Sequence, residues 1–300
     1  MSPISLDNFQ KIDLNDKKVF IDYFTRFPPE ISELTFTNLY MWRHHYDFRW
    51  LEIDHNLAVI SLKQLNEGIE IIAFPPVGSK PVNAITKIMK FAQKESLSVE
   101  FHRIPESLAE TVEASGLNLR KTADRANWDY LYARDDLVDL PGKDYANERK
   151  KLNKFKREHR WRYESLNDEM VSECLKLQEK WCDLKSCEDR PNLNDEDHAI
   201  KDILDNWKNL EFDGAIIMIG KKIIAFSLGE KLNEETAVVH IEKASYDYTG
   251  AYEMINQQFA EKNAKGCTYV NREQDLGIKG LRRAKKRYHP VKMVKKYVLK

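Results

Sequence analysis

One order of elements is written into this chain twice. Residues 16–46 carry apolar side chains at helical spacing in two blocks. The first holds Val19, Phe20, Tyr23 and Phe24 and is stopped by Pro28 and Pro29; the second holds Phe36, Leu39, Tyr40 and Trp42, with Ser32 expected as its N-cap. Strand-like runs follow at 48–53, 57–62 and 70–74, the first two joined by the turn sequence Asp54-His55-Asn56. A helix over 82–95, a strand over 99–104, a helix over 106–114 and a strand over 127–132 complete the first series. A polar stretch, 133–142, contains Asp135, Asp136, Pro141 and Gly142 and reads as the boundary. The basic segment 143–159 is expected to be a helix with Tyr145, Leu152, Phe155 and His159 broadly on one side. The order then recurs: a strand over 160–165, helices over 169–182 and 195–210, and a meander of 215–219, 223–229 and 236–243. After it come a helix over 251–263 ended by Gly266, a strand over 267–272, a helix over 279–288 and a strand over 291–298. The amino acids themselves do not repeat, so the repeat is one of pattern.

A three-strand meander followed by alternating helix and strand is similar to the element order of the acetyltransferase (GNAT) superfamily. The expected class is α/β (α+β): two tandem GNAT-like acyl-CoA N-acyltransferase folds, with mixed sheets flanked by helices. The expected division is an N-terminal domain, 1–135, and a C-terminal domain, 136–300, holding the active-site crevice. In that superfamily the fourth and fifth strands splay, leaving a crevice for the donor and the reacting amine. Fold by itself does not fix function.

Composition narrows the classes. The chain has 300 residues, 42% of them apolar, and 48 basic residues balance 48 acidic ones, which excludes disorder driven by net charge. No run approaches the roughly 18–20 apolar residues that span a bilayer, and residues 1–10 show no export signal, so a cytoplasmic protein without transmembrane anchoring is expected. Cys174, Cys182, Cys187 and Cys267 form no metal-binding spacing and are expected to be reduced thiols, with no metal site. The balanced charge is segregated, however. Residues 141–163 hold nine Lys/Arg against three Asp/Glu, and residues 271–300 hold eleven against two. Such segregation suits a polyanionic partner, although two solvated helix faces would look the same.

The segment YVNREQDLGIKGLRRAKKRY (269–288) resembles the C-terminal signature of the DUF2156 family, itself similar to the soluble C-terminal domain of phosphatidylglycerol lysyltransferases. Further matching stretches are SELTFTNLYMWR (32–43), residues 140–155 and HIEKASYDYTGAYEMINQQF (240–259). The resemblance covers nearly the whole chain. It implies a tandem GNAT-like fold and, in the lysyltransferase branch, movement of an aminoacyl group from charged tRNA onto a lipid head group.

Acetyl-CoA-using GNAT proteins hold the donor pyrophosphate on a Q/R-x-x-G-x-G/A loop before a helix. Here the matching place reads Ser245-Tyr246-Asp247-Tyr248-Thr249-Gly250-Ala251, with one glycine and a repelling Asp. The cradle is degraded, which favours another donor. His240 and Glu242, two apart on a strand, are candidates to accept a proton from an attacking amine; a buried or solvent-facing structural pair is the alternative. Asn271, Arg272, Glu273, Gln274 and Asp275 follow an apolar strand, where α/β folds gather ligand groups. Arg272 is expected to grip a phosphate or carboxylate, and Glu273 or Asp275 to serve a cationic amine; a salt-bridge network is the alternative. Tyr248, Gly250, Tyr252 and Asn256 are expected to line the donor side. The helix bearing Arg282, Arg283, Lys285, Lys286 and Arg287 is expected to lie along RNA with Lys150, Lys151, Lys154, Lys156 and Arg157. Trp181 and Trp207 are expected in the core.

The expected function is therefore a transferase moving an aminoacyl group from aminoacyl-tRNA to an amine or hydroxyl, with no permanently bound cofactor. The basic segments 143–162 and 279–296 are expected to meet tRNA, and peripheral contact with anionic lipid stays open. The alternatives are an acyl-CoA-dependent N-acyltransferase and a non-catalytic module that holds RNA or anionic lipid.

Overall fold

Two units, each built on its own sheet and core, take up the described residues, 4–65 and 68–300, of a computed structural model. The first contains residues up to Asp129 with Gln274–Gly277 and Val294–Lys300; the second contains Tyr130–Glu273 and Ile278–Met293.

In the first unit, α1 (Lys17–Arg26) buries Phe20 and Tyr23, and α2 (Phe36–Tyr46) buries one residue after another over its first half. The cap of α2 is Thr35, whose hydroxyl accepts from Asn38 N at 3.1 Å, and not Ser32. Ser32 instead gives both its N–H and its hydroxyl to the buried Asp129, each at 2.9 Å. The strands are β1 (Gln10–Lys11), β2 (Arg49–Ile53), β3 (Asn56–Gln64), β4 (Ile69–Ala73), β5 (Val77–Gly78), β6 (Ser98–Pro105) and β7 (Lys121–Ala123), with α3 (Pro81–Lys94) and α4 (Glu106–Ala114) between them. Asp54 and His55 both take positive φ, as a two-residue hairpin turn matched to strand twist demands. Strands β2, β3 and β4 form an antiparallel meander, and β6 pairs parallel to β4.

The second unit repeats this plan. Its elements are β8 (Asp129–Ala133), α5 (Arg134–Asp139), α6 (Ala146–Glu158), β9 (Trp161–Ser165), α7 (Asp168–Lys185), α8 (Pro191–Asp205), β10 (Asp213–Ile219), β11 (Lys222–Lys231) and β12 (Thr236–Ala244). They continue with α9 (Ala251–Lys262), β13 (Tyr269–Asn271), α10 (Lys279–Lys286) and β14 (Lys292–Val294). Strands β10, β11 and β12 form the meander, and β13 pairs parallel to β12. The chain ends in β15 (Lys296–Leu299).

The sheet orders are β1-β2-β3-β4-β6-β15-β7, with β5 on β3, and β14-β8-β13-β12-β11-β10-β9. Two strands thus sit in the opposite sheet from the one their place in the sequence suggests. The strand expected over 127–132 to finish the first series is β8, in the second sheet. The single strand expected over 291–298 is broken: β14 stays in the second sheet and β15 enters the first. Burial explains both. Asp129 through Tyr132 are buried in succession, as suits a strand covered on both faces, and Tyr130 and Tyr132 join the second core. Leu299 and Tyr297 pack in the first core.

The polar stretch gains a helix, and the expectation of four reduced thiols is corrected. The polar stretch 133–142 contains α5, whose Leu137, with Leu140 just beyond, is buried in the second core, while Asp135 and Asp136 lie in its first turn, where the helix dipole favours acids. Cys182 and Cys187 are joined by a disulfide, with Cα atoms 5.0 Å apart, because Ser186 (φ 51°) turns the chain back at the end of α7. Cys174 and Cys267 are free. Among the described residues no helix is long and apolar enough to cross a membrane.

Candidate active site

In the second unit β13 pairs with β12 over only three positions, Thr236 with Tyr269, Ala237 with Val270 and Val238 with Asn271. Beyond Val238 the two strands part. At that point the β11–β12 register jumps from Gly229/Val239 to Leu228/Ile241, so His240 is the extra residue of a bulge, a device that re-aims side chains. Gly229 opposite is required: a Cβ there would lie 2.2 Å from Val238 O and 2.6 Å from Cζ of Phe259.

The parted strands are bridged by charge. Glu242 on β12 accepts from Nη2 of Arg272 at 3.0 Å through Oε1, and from Nδ2 of Asn256 on α9 at 3.2 Å through Oε2. The Arg272 guanidinium lies 4.8 Å from the ring centre of Tyr288 and 5.6 Å from that of Tyr132, within cation–π range. Burial works against its charge, but Glu242 outweighs this and raises its pKa. Burial also pushes the phenols of Tyr132 and Tyr288 up, so both are neutral hydroxyls at pH 7. Lys285 donates its ammonium to the Arg272 carbonyl, and Tyr132 donates to the Lys285 carbonyl at 2.8 Å. Within this cluster Nη1 of Arg272 and Oδ1 of Asn256 are buried with no hydrogen-bond partner. Such groups are costly to leave unpaired and mark a place where a polar ligand or water completes the site.

His240 is built differently from Glu242. Its Nδ1 is 2.8 Å from Glu273 and its Nε2 is 2.9 Å from Glu230. Burial lowers the affinity of the ring for a proton, but the two carboxylates override this and raise the pKa to about 9. At pH 7 it is an imidazolium whose two N–H groups both donate, one to each carboxylate, so its ring ties Glu273 to Glu230 and has no lone pair to accept a proton. Glu273 takes a left-handed backbone (φ 54°), held by Asn271, whose Oδ1 accepts from Glu273 N at 2.8 Å.

The run 271–275 divides. Asn271, Arg272 and Glu273 belong to the second unit, Gln274 and Asp275 to the first. Asp275 is fully buried, with Oδ1 accepting from Gly277 N at 2.9 Å and Oδ2 accepting from Arg125 at 3.1 Å, which is a turn-holding role. Tyr252 and Asn256 also part: Asn256 reaches Glu242, whereas the Tyr252 hydroxyl accepts from Trp181 at 2.8 Å. Tyr248 packs edge-on against His159 at 5.3 Å. Gly250 (φ 95°) lets α6 press on the loop before α9, since a Cβ would lie 2.5 Å from Lys151 O. Arg287 is 3.7 Å from the buried Glu148. The sequence reading missed Glu230, Tyr132 and Tyr288; only Tyr288, closing the RRAKKRY run, lay inside a stretch already singled out. In the first unit a cavity of about 480 Å³ is lined by both signs of charge, including Lys11, Asp13, Arg43 and Asp47, and holds none of the candidates.

Residues 24–300 match the family model described as phosphatidylglycerol lysyltransferase, C-terminal. Among solved structures, the chain is 32% identical to a conserved protein of unknown function from Bacteroides thetaiotaomicron VPI-5482, with a TM-score of 0.89 and coverage of 97% of this chain and 98% of that one. It is 16% identical to the C-terminal DUF2156 domain assigned to a lysylphosphatidylglycerol synthetase of Agrobacterium fabrum, with a TM-score of 0.69 over 95% of this chain and 90% of that one. It is 15% identical to L-PGS from Bacillus licheniformis, with a TM-score of 0.68 over 97% and 92%. These last two likenesses show the fold. None of the curated proteins searched matches the chain. Each unit has a mixed sheet, and the family match supports an acyltransferase-like function. The chain belongs to the family of the phosphatidylglycerol lysyltransferase C-terminal domain.

Proposed function

We propose that the second unit transfers an aminoacyl group from aminoacyl-tRNA to an amine or hydroxyl acceptor. The observation that carries this reading is the Glu242–Arg272 pair between the parted strands, with one buried guanidinium nitrogen unpartnered. The acceptor nucleophile attacks the ester carbonyl carbon; the new C–N or C–O bond forms, the ester C–O bond breaks, and the ribose hydroxyl leaves. Glu242 takes the proton the nucleophile gives up, and the leaving oxygen gains one in exchange. The free Nη1 of Arg272 supplies a donor for the oxygen on which negative charge develops. A preformed ester needs orientation and charge stabilisation more than a nucleophilic triad. A cytosolic setting, where charged tRNA is made, accords with this reading.

The acyl-CoA alternative is less well supported. In the 245–251 loop Asp247 N is bonded to the Ser245 hydroxyl, Tyr248 N to Ser245 O and Ala251 N to Tyr248 O, so these amides are not offered to a pyrophosphate. The test is a transfer assay with radiolabelled aminoacyl-tRNA, offering anionic phospholipid vesicles and soluble amines as acceptors. Glu242→Gln is expected to lower the rate by about 10²–10⁴, the usual worth of a general base. Transfer from acetyl-CoA but not from charged tRNA would reverse the assignment.

A further inference from the structure

The two basic segments, far apart in sequence, converge on one cleft of the second unit. It measures about 410 Å³ and is lined by Asn147, Glu148, Lys150, Lys151 and Lys154 of α6, by Thr249 and by Arg287. That volume lies within the usual range of ligand sites. Two of its cations are positioned by buried carboxylates: Lys151 lies 2.8 Å from Glu253, and Arg287 lies 3.7 Å from Glu148. The other two are differently placed. Lys154 has only a 3.9 Å contact with Glu158, both largely in solvent, and Lys150 is exposed with no ion pair among the described residues. Among the described residues Lys150 thus has no carboxylate against it, and Lys154 only a long, solvent-exposed one. Thr249 is held at the wall because Gly250 lets α6 close on the loop.

We propose that this cleft binds consecutive phosphates of a nucleic-acid strand. The proposal rests on the transfer reading above and gives its donor a place to lie. Lysine ammonium groups spaced along a helix act as point charges for successive phosphates, and Arg287 adds a planar fork whose Nε side faces Glu148. A free pyrophosphate has the same chemistry in a shorter length, so the source has to be distinguished by experiment.

The experiment is equilibrium binding of a labelled RNA hairpin with a single-stranded 3′ end, across a salt series, with coenzyme A and inorganic pyrophosphate as separate ligands. Lys150→Glu with Lys154→Glu changes exposed side chains only, and Lys90→Glu, exposed on α3, is the control. The expected result is at least a tenfold loss of RNA affinity in the double variant and a salt slope shallower by roughly 1.4, about 0.7 for each single-strand phosphate that a lysine no longer neutralises. The control is expected to bind as the parent does. Unchanged RNA affinity in the double variant overturns the proposal, as does an effect confined to coenzyme A or pyrophosphate. Failure of the transfer reading has a different signature: RNA binding that responds to Lys150 and Lys154 while no aminoacyl group moves.

Discussion

His240 lies between two carboxylates with its ring almost fully covered, and this has a defined pH signature. Its pKa is raised from 6.5 to about 9, so the folded state holds the proton more tightly than the unfolded state. The stabilisation is therefore complete below pH 6.5 and is lost as pH rises through about 9. Comparing the parent with His240→Gln by urea unfolding, the stability gap is expected to shrink by roughly 3 kcal/mol between pH 6 and pH 10, at about 1.4 kcal/mol for each tenfold difference in proton affinity between the folded and unfolded states. A gap that stays constant with pH would contradict the imidazolium assignment. Lys296 offers a second test at this scale. It is fully buried, 2.5 Å from Glu33 and 2.6 Å from Asp129, and burial pushes the Glu33 carboxyl up. Lys296→Met leaves those acids without their shared cation and is expected to cost about 3–5 kcal/mol in chemical denaturation.

At the scale of elements, the exchanged strands matter most. β15 lies between β6 and β7, so removing residues 296–300 strips two strand edges of their pairing as well as taking Lys296 away. The truncated protein is expected to lose amide-exchange protection in β6 and β7; native protection there would contradict the topology. Most elements could be read from periodicity: the meanders, α3 and α9 lie within a few residues of expectation. What could not be read is which sheet receives a strand, because Asp129–Ala133 and Lys296–Leu299 carry apolar runs suited to any buried position. Likewise α5 was hidden because its apolar anchors, Leu137 and Val138 with Leu140 just beyond, are few in a polar stretch. At the site, Arg272 was legible as a polar residue after an apolar strand, and Glu242 as one of two polar residues two apart on a strand. Their pairing, the bulge that separates His240 from Glu242, and the turn that takes Asp275 into the first unit all depend on backbone geometry that spacing does not encode.

At the scale of the whole molecule, formal neutrality conceals two segments in which basic residues far outnumber acidic ones, and the second unit brings Lys150, Lys151, Lys154 and Arg287 to one cleft. Affinity for a polyanion should then fall steeply with salt despite a net charge of +0. Whether the crevice at Glu242 and Arg272 recognises the aminoacyl end of the donor is decided by binding aminoacylated and uncharged tRNA to the parent, Glu242→Gln and Arg272→Lys near physiological salt. Charged tRNA is expected to bind the parent more tightly, with a smaller difference in both variants and uncharged tRNA bound as before. Equal binding of charged and uncharged tRNA by the parent would contradict such recognition.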